Sequence, residues 1–153
     1  MPTIRPAQSR DLPAITEIFN EAVVGTTASY ALDPVTVDDR RAWFERLTGA
    51  ECPVLVLEDD GEVIGYASYG QFRPLAGYAH TVEHSVYIRS GRRAAGGGRV
   101  LMLALLDYAR GRGVHVMVGV VDGSNEDSLA FHRKLGFVES GRLPEVGRKF
   151  DRW

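Results

Sequence analysis

Thr81-Val82-Glu83-His84-Ser85-Val86-Tyr87-Ile88, followed after a short turn by Arg93-Ala94-Ala95-Gly96-Gly97-Gly98-Arg99, decides how this chain is read. The first stretch is rich in β-branched residues and reads as a strand. The second places three glycines directly ahead of an apolar helical pattern over Arg99–Arg112, where Leu101, Leu105, Leu106 and Ala109 recur before Gly113. Glycines at a strand-to-helix junction let the backbone approach a ligand closely, and the exposed N–H groups and helix dipole favour an anion. The dinucleotide fingerprint does not fit, because Leu101 stands where its third glycine belongs, and there is no Gly-Lys-Ser/Thr of a Walker loop. What remains is a glycine loop flanked by Arg93 and Arg99, suited to pyrophosphate or another polyphosphate.

Working outward, a helix is expected from Asp11 to Gly25, with Asp11 as N-cap and Leu12, Ile15, Ile18, Phe19 and Ala22 on one face. Thr36 and Asp39 have the spacing of a capping box and open a second helix that carries Trp43, Phe44 and Leu47 to Gly49. Pro53–Glu58 and Glu62–Tyr69 form a hairpin about Asp60-Gly61, and Gln71–Ala79 is a loop. Val114–Val121 is a nearly continuous apolar run, expected as a strand buried on both faces. Asn125–Leu135 is a last helix, stopped by Gly136 and followed by a short strand at Phe137–Ser140 and a looped tail from Arg142 to Trp153. With a first strand at the N-terminus, the order is β-α-α-β-β-β-α-β-α-β, a mixed α/β sheet with helices on both faces.

The 153 residues make one domain, spanning 1–153, and 44% apolar with 25% charged residues is ordinary for a globular protein. A formal net charge of −2 gives no bulk attraction to nucleic acid or anionic membrane, so neither is an expected partner. No apolar run reaches the ~20 residues of a membrane span, and the N-terminus lacks the apolar core of a signal peptide. A cytoplasmic setting is expected. Cys52, the single cysteine, reads as a structural thiol at the start of a strand.

Five side chains invite chemistry. His80-Thr81-Val82-Glu83-His84 matches a zinc motif that works on a helix. On a strand the two histidines are about 13 Å apart at ~3.3 Å per residue, so no metal is expected. Glu83 shares a strand face with Thr81, Ser85 and Tyr87, and an acid desolvated there would suit a general base. An edge strand with Glu83 in solvent is the alternative. Arg73, among Phe72, Tyr69 and Tyr78, would suit a carboxylate or stand as a solvated surface charge. His132, between Phe131 and Leu135 on the last helix, fits an interior group or a catalytic one.

Together these segments resemble the GCN5-related N-acetyltransferases. Arg93-x-x-Gly96-x-Gly98 is similar to that family's Arg/Gln-x-x-Gly-x-Gly/Ala motif, and Asn125 with Phe131-His132-Arg133-Lys134-Leu135-Gly136-Phe137 is similar to its final helix. Asn20-Glu21-Ala22-Val23, Thr26-Thr27-Ala28, Gly65-Tyr66-Ala67, Arg73-Pro74, Thr81–Tyr87 and Val146-Gly147-Arg148-Lys149-Phe150 resemble the phosphinothricin and methionine sulfoximine acetyltransferase branch. The resemblance covers nearly the whole chain.

It implies the GNAT fold, a mostly antiparallel mixed sheet with splayed strands 4 and 5, and acetyl-CoA as co-substrate. Val86, Tyr87 and Ile88 would pair with the pantetheine arm, Arg93, Ala94, Ala95, Gly96, Gly97, Gly98 and Arg99 would hold the pyrophosphate, and Asn125 would touch the cofactor further along. Arg73, Pro74, Leu75, Glu83, His84 and Ser85 match segments lining the amino-acid pocket, with Tyr30 closing it. Glu83 would be the general base. His132 stands where many relatives have a tyrosine that serves the leaving thiolate. The acceptor would be the α-amine of a small amino-acid analogue such as phosphinothricin, methionine sulfoximine or methionine sulfone. Alternatives are another small amine, a protein N-terminus, or a non-catalytic acyl-CoA-binding module. Ala94 and Ala95 depart from the family's usual Gly and basic residue, and the family's final strand, which completes the sheet and often adjoins a homodimer contact, is expected to be missing after Trp153.

Overall fold

The computed structural model describes residues 1–153 apart from the side chain of Ala94. Five strands lie in the order β1 (Thr3–Pro6), β2 (Val54–Asp59), β3 (Glu62–Gln71), β4 (Thr81–Ile88) and β5 (Val116–Val118). The first three pairings are antiparallel, and β5 runs parallel to β4. Four helices cover the sheet: α1 (Leu12–Gly25), α2 (Val37–Gly49), α3 (Gly97–Gly111) and α4 (Glu126–Lys134). A parallel neighbour needs a crossover, and α3 supplies it between β4 and β5.

Alternation along β2 divides the core. Leu55 and Leu57 turn toward α3, where Leu101, Met102, Leu105 and Ala109 meet them. Val54 and Val56 turn the other way, onto Ile15 and Ile18 of α1 and Leu47 of α2. On β3 a register shift between Leu57 and Glu58 leaves Ile64 as an extra residue, so that Val63 and Tyr66 both reach the α1 side. The Asp60-Gly61 turn has positive φ at both residues, 49° and 81°, as a tight two-residue hairpin demands.

The capping box at α2 is present, with Asp39 N–H on Thr36 Oγ1 at 3.1 Å and Thr36 N–H on Asp39 Oδ2 at 2.8 Å. Asp11 stands at the start of α1, but its side chain does not cap that helix. Its carboxylate instead accepts from Gln8 N–H and pairs with Arg5 of β1 at 2.8 Å, which holds the carboxyl below the usual carboxylate range.

Two strand expectations are corrected. The Val114–Val121 run gives only the three-residue β5, with Val116 exposed. It lies at the sheet edge and pairs on one side, so its far side has no layer to bury it. Phe137–Ser140 forms no strand, because no neighbouring strand pairs with it. The ring of Phe137 instead packs on His84 and His132. Helix α3 also begins at Gly97, two residues earlier than its apolar pattern.

Candidate active site

The β4–β5 ladder ends at Glu83↔Val118. Beyond it, Val86, Tyr87 and Ile88 remain paired with Ala67, Tyr66 and Gly65 of β3, while their opposite edge has no strand beside it among the described residues. The sheet therefore forks after Glu83, as expected of splayed strands 4 and 5. Peptide groups along that free edge are available to a ligand that carries amides. At the far end of the fork, Gly96 adopts φ +77° and caps α3 without a side-chain hydrogen bond. The first N–H groups of α3 therefore lack a capping side chain, which suits an anion. A Cβ on Gly97 would come within 2.7 Å of Leu57 Cδ2, so this glycine admits the close approach of α3 to the sheet. Arg93, Ala95 and Arg99 are exposed around the loop, and the Ala94 side chain lies outside the described residues.

On the α1–α2 face of the sheet, Glu83 and Ser85 line an open cavity of about 260 Å³ with Trp43, Arg46, Ser68 and Phe72. Glu83 is exposed there. The expected desolvation of this acid is corrected: β4 is an inner strand, but the cavity opens its Glu83 face to solvent. Arg40 lies beneath the Trp43 wall. Its guanidinium stacks 3.7 Å from the Trp43 ring and 4.3 Å from Phe19, and it donates to Tyr66 Oη at 3.0 Å. The group is buried without a carboxylate, which rings of this kind accommodate better than an aliphatic wall would.

Arg73, Pro74 and Leu75 are exposed on the β3–β4 loop and do not line that cavity, although Phe72 beside them does. Tyr30 is also outside it, lying against Gly147, where a Cβ would meet its ring at 2.8 Å. The same tail sends the buried Lys149 Nζ to Ser29 O at 2.6 Å, so the Val146–Phe150 motif ties the Tyr30 loop in place. Tyr87 donates weakly to Ala28 O of that loop at 3.4 Å. Asn125 caps α4 by accepting from Ser128 N–H at 3.1 Å.

His84 points to the opposite face from Glu83 and Ser85, is buried, and meets His132 with their Nε2 atoms 3.0 Å apart. The rings stack at 27°, and the ring of Phe137 packs on both. Gly119 makes room for the pair, since a Cβ there would come within 2.9 Å of His84 Nε2 and 3.1 Å of His132 Nε2. His80, by contrast, is exposed and bonded to Gly113 O. The sequence alone did not single out Gly119, Arg40 or Ser128, and read Trp43 only as part of the second helix. The Gly in the apolar run after Met117 was the one available signal.

Burial, with His132 as neighbour, lowers His84 to about 4. The folded state then binds its proton later than the unfolded chain, whose histidines titrate near 6.5. Stability from this site is complete above the unfolded value and is lost as pH falls from about 6.5 toward 4. Between pH 7 and pH 5 the expected loss is about 2 kcal/mol. Urea unfolding at the two pH values should show this difference in the wild type and not in His84→Leu; equal pH dependence in both would contradict it.

The acetyltransferase (GNAT) family pattern matches residues 12–137. The chain belongs to the GNAT family. This GNAT protein is 48% identical over 152 residues to an L-methionine sulfoximine/L-methionine sulfone acetyltransferase of Pseudomonas aeruginosa, covering 99% of this chain and 88% of the relative. It is 39% identical over 152 residues to a phosphinothricin N-acetyltransferase of Alcaligenes faecalis, covering 99% and 77%. The structure of a Salmonella typhimurium acetyltransferase with acetyl-CoA superposes with a TM-score of 0.96 at 45% identity, covering 99% of this chain and 88% of that one. The expected GNAT sheet and the acyltransferase class both hold. No helix among the described residues is long and apolar enough to cross a membrane.

Proposed function

We propose that this GNAT enzyme transfers the acetyl group of acetyl-CoA to the α-amine of a small amino-acid analogue of the methionine sulfoximine, methionine sulfone or phosphinothricin type. The observation that carries the reading is the placing of Glu83 on the cavity wall where the sheet forks. A carboxylate there can face an amine while the free edge of β4 faces an amide-bearing arm. The residues fit acetyl-CoA: the unpaired edge at Val86–Ile88 suits pantetheine, and the uncapped N–H groups after Gly96 suit the pyrophosphate. When bound, acetyl-CoA supplies an acetyl group activated as a thioester.

The rest is the work of this chain. An amino acid's amine is protonated near neutrality, and Glu83, directly or through a water, takes that proton. Backbone N–H groups at the fork polarise the carbonyl under attack. Holding both partners in one cleft removes most of the entropic cost of their meeting. Arg73, on the β3–β4 loop next to the cavity-lining Phe72, would extend to the carboxylate of the acceptor. A cytoplasmic homodimer is the setting that the same likeness supports.

Arg73→Ala tests the acceptor class. Loss of a charged hydrogen bond to carboxylate should raise KM for methionine sulfone about 10–100-fold, while KM for a simple amine such as a phenethylamine changes little. An equal change for both would place the carboxylate elsewhere.

A further inference from the structure

We propose that Arg46 is a specificity-determining residue of the acceptor cavity, where its guanidinium binds oxygen atoms on the end group of the acceptor's side chain. The inference rests on the N-acetyltransferase reading and deepens it: the enzyme selects oxidised sulfur or a phosphinate over a plain thioether.

Helix α2 sets Trp43, Arg46 and Leu47 on one face, three and four residues apart, and all three line the cavity beside Glu83. Arg46 is exposed. Ala42, Trp43, Gly49 and Ala50 stand three and four residues from it, so no acid of α2 pairs with it. It forms no ion pair with any other element among the described residues. Arg73, by contrast, lies on the neighbouring loop outside the lining. Among the lining residues Arg46 is thus the cation and Glu83 the anion.

The opposite wall is shaped by the pairing of β3 with β4. Gly70 is the register partner of Glu83, and Ser68 that of Ser85. A Cβ at Gly70 would come within 3.2 Å of Leu47 Cδ2, so its absence keeps the space between Glu83 and α2 open. Ser68, 3% exposed, and Ser85 add two hydroxyls to the same wall. Behind Trp43 the buried Arg40 has no carboxylate, so the α2 side carries two positive charges. A field of that sign favours electron-rich oxygen.

An amino acid whose amine meets Glu83 and whose carboxylate turns out to Arg73 sends its side chain into this space. Trp43, Leu47 and Phe72 suit its methylene groups. Sulfone, sulfoximine and phosphinate groups then offer oxygen lone pairs, to which a guanidinium donates N–H bonds in a fixed fork. A thioether sulfur is a weak acceptor and offers nothing comparable.

L-Methionine and L-methionine sulfone differ by the two sulfonyl oxygens alone, so together they isolate the contact. Calorimetric titration of each into CoA-saturated wild type should show the sulfone bound at least about tenfold more tightly. Arg46→Met keeps the length of the side chain and removes its donors. The preference should then fall below about threefold through weaker binding of the sulfone, with methionine changed less than about twofold. Arg46→Lys, which keeps the charge but not the fork, should fall between the two. Arg46 is exposed and unpaired, so neither substitution should alter folding, which the melting temperature checks. No measurable binding of the sulfone, equal binding of the two by wild type, or an undiminished preference in Arg46→Met would overturn the assignment. Equal weakening of both amino acids would overturn it too, because the contact would then be to their shared carboxylate. The expected preferences without acetyl transfer to either would instead locate the failure in the acetyltransferase reading.

Discussion

Glu83→Gln is expected to lower kcat about 10²–10³-fold while leaving the dissociation constant for acetyl-CoA within about twofold. The substitution keeps the size and hydrogen-bonding reach of the side chain but removes its capacity to hold a proton. Glu83 lies on the wall of the 260 Å³ cavity, and its exposure there means that the loss of charge leaves no buried group unpaired. Folding stability should therefore be unchanged, separating a chemical role from a structural one. The proposed acetyl-CoA side of the fork consists of backbone groups of β4 and α3, which the substitution does not touch. Steady-state kinetics with calorimetric titration of acetyl-CoA checks both halves. A kcat within threefold of wild type would assign the base to another group.

Leu105→Ala is expected to destabilise the fold by about 2–5 kcal/mol, the range for deleting a fully enclosed leucine. Leu105 is 0% exposed and lies in the cluster that joins α3 to Leu55, Ala67, Tyr69 and Val82 of the sheet. A lower melting temperature, by roughly 5–15 °C for a domain of this size, follows from that loss. The consequence reaches the glycine loop proposed to hold acetyl-CoA, because the N-terminus of α3 presents Gly96–Gly98 and its position depends on this packing. Thermal unfolding monitored by circular dichroism measures the effect, and a shift under 2 °C would show that the α3 layer contributes little.

What could be read from the residues was mostly local. The Thr36/Asp39 capping box and the Asp60-Gly61 turn are short-range signals whose geometry is set within four residues. β4 was delimited at Thr81 and Ile88 because β-branched residues crowd between a loop and a glycine turn. The glycine run marked the N-terminus of α3, whose first N–H groups lack a capping side chain. Apolar composition misled at Val114–Val121, since a run of valines does not reveal whether a second strand will flank it. The bulge at Ile64 was equally hidden, because it depends on register with Leu57 across the hairpin.

The site divided along the same line. Glu83 and Ser85 share a strand face, so alternation alone brought them together, and the same rule placed His84 on the other side. Its meeting with His132, 48 residues away, required the crossover of α3 and the turn into α4. Arg40 is a charged residue of a polar helix, and only the ring stack of Phe19, Trp43 and Tyr66 explains how it can be buried. Lys149 likewise became intelligible once Ser29 O was found beside it.

Thiol release from acetyl-CoA by the purified protein, with L-methionine sulfone, L-methionine sulfoximine or L-phosphinothricin as acceptor, tests the central claim most directly. The account predicts saturable release dependent on the amino acid, with the N-acetylated product recovered in equal amount. Saturable binding of CoA with no release for any of the three would contradict it and leave an acyl-CoA-binding protein in its place.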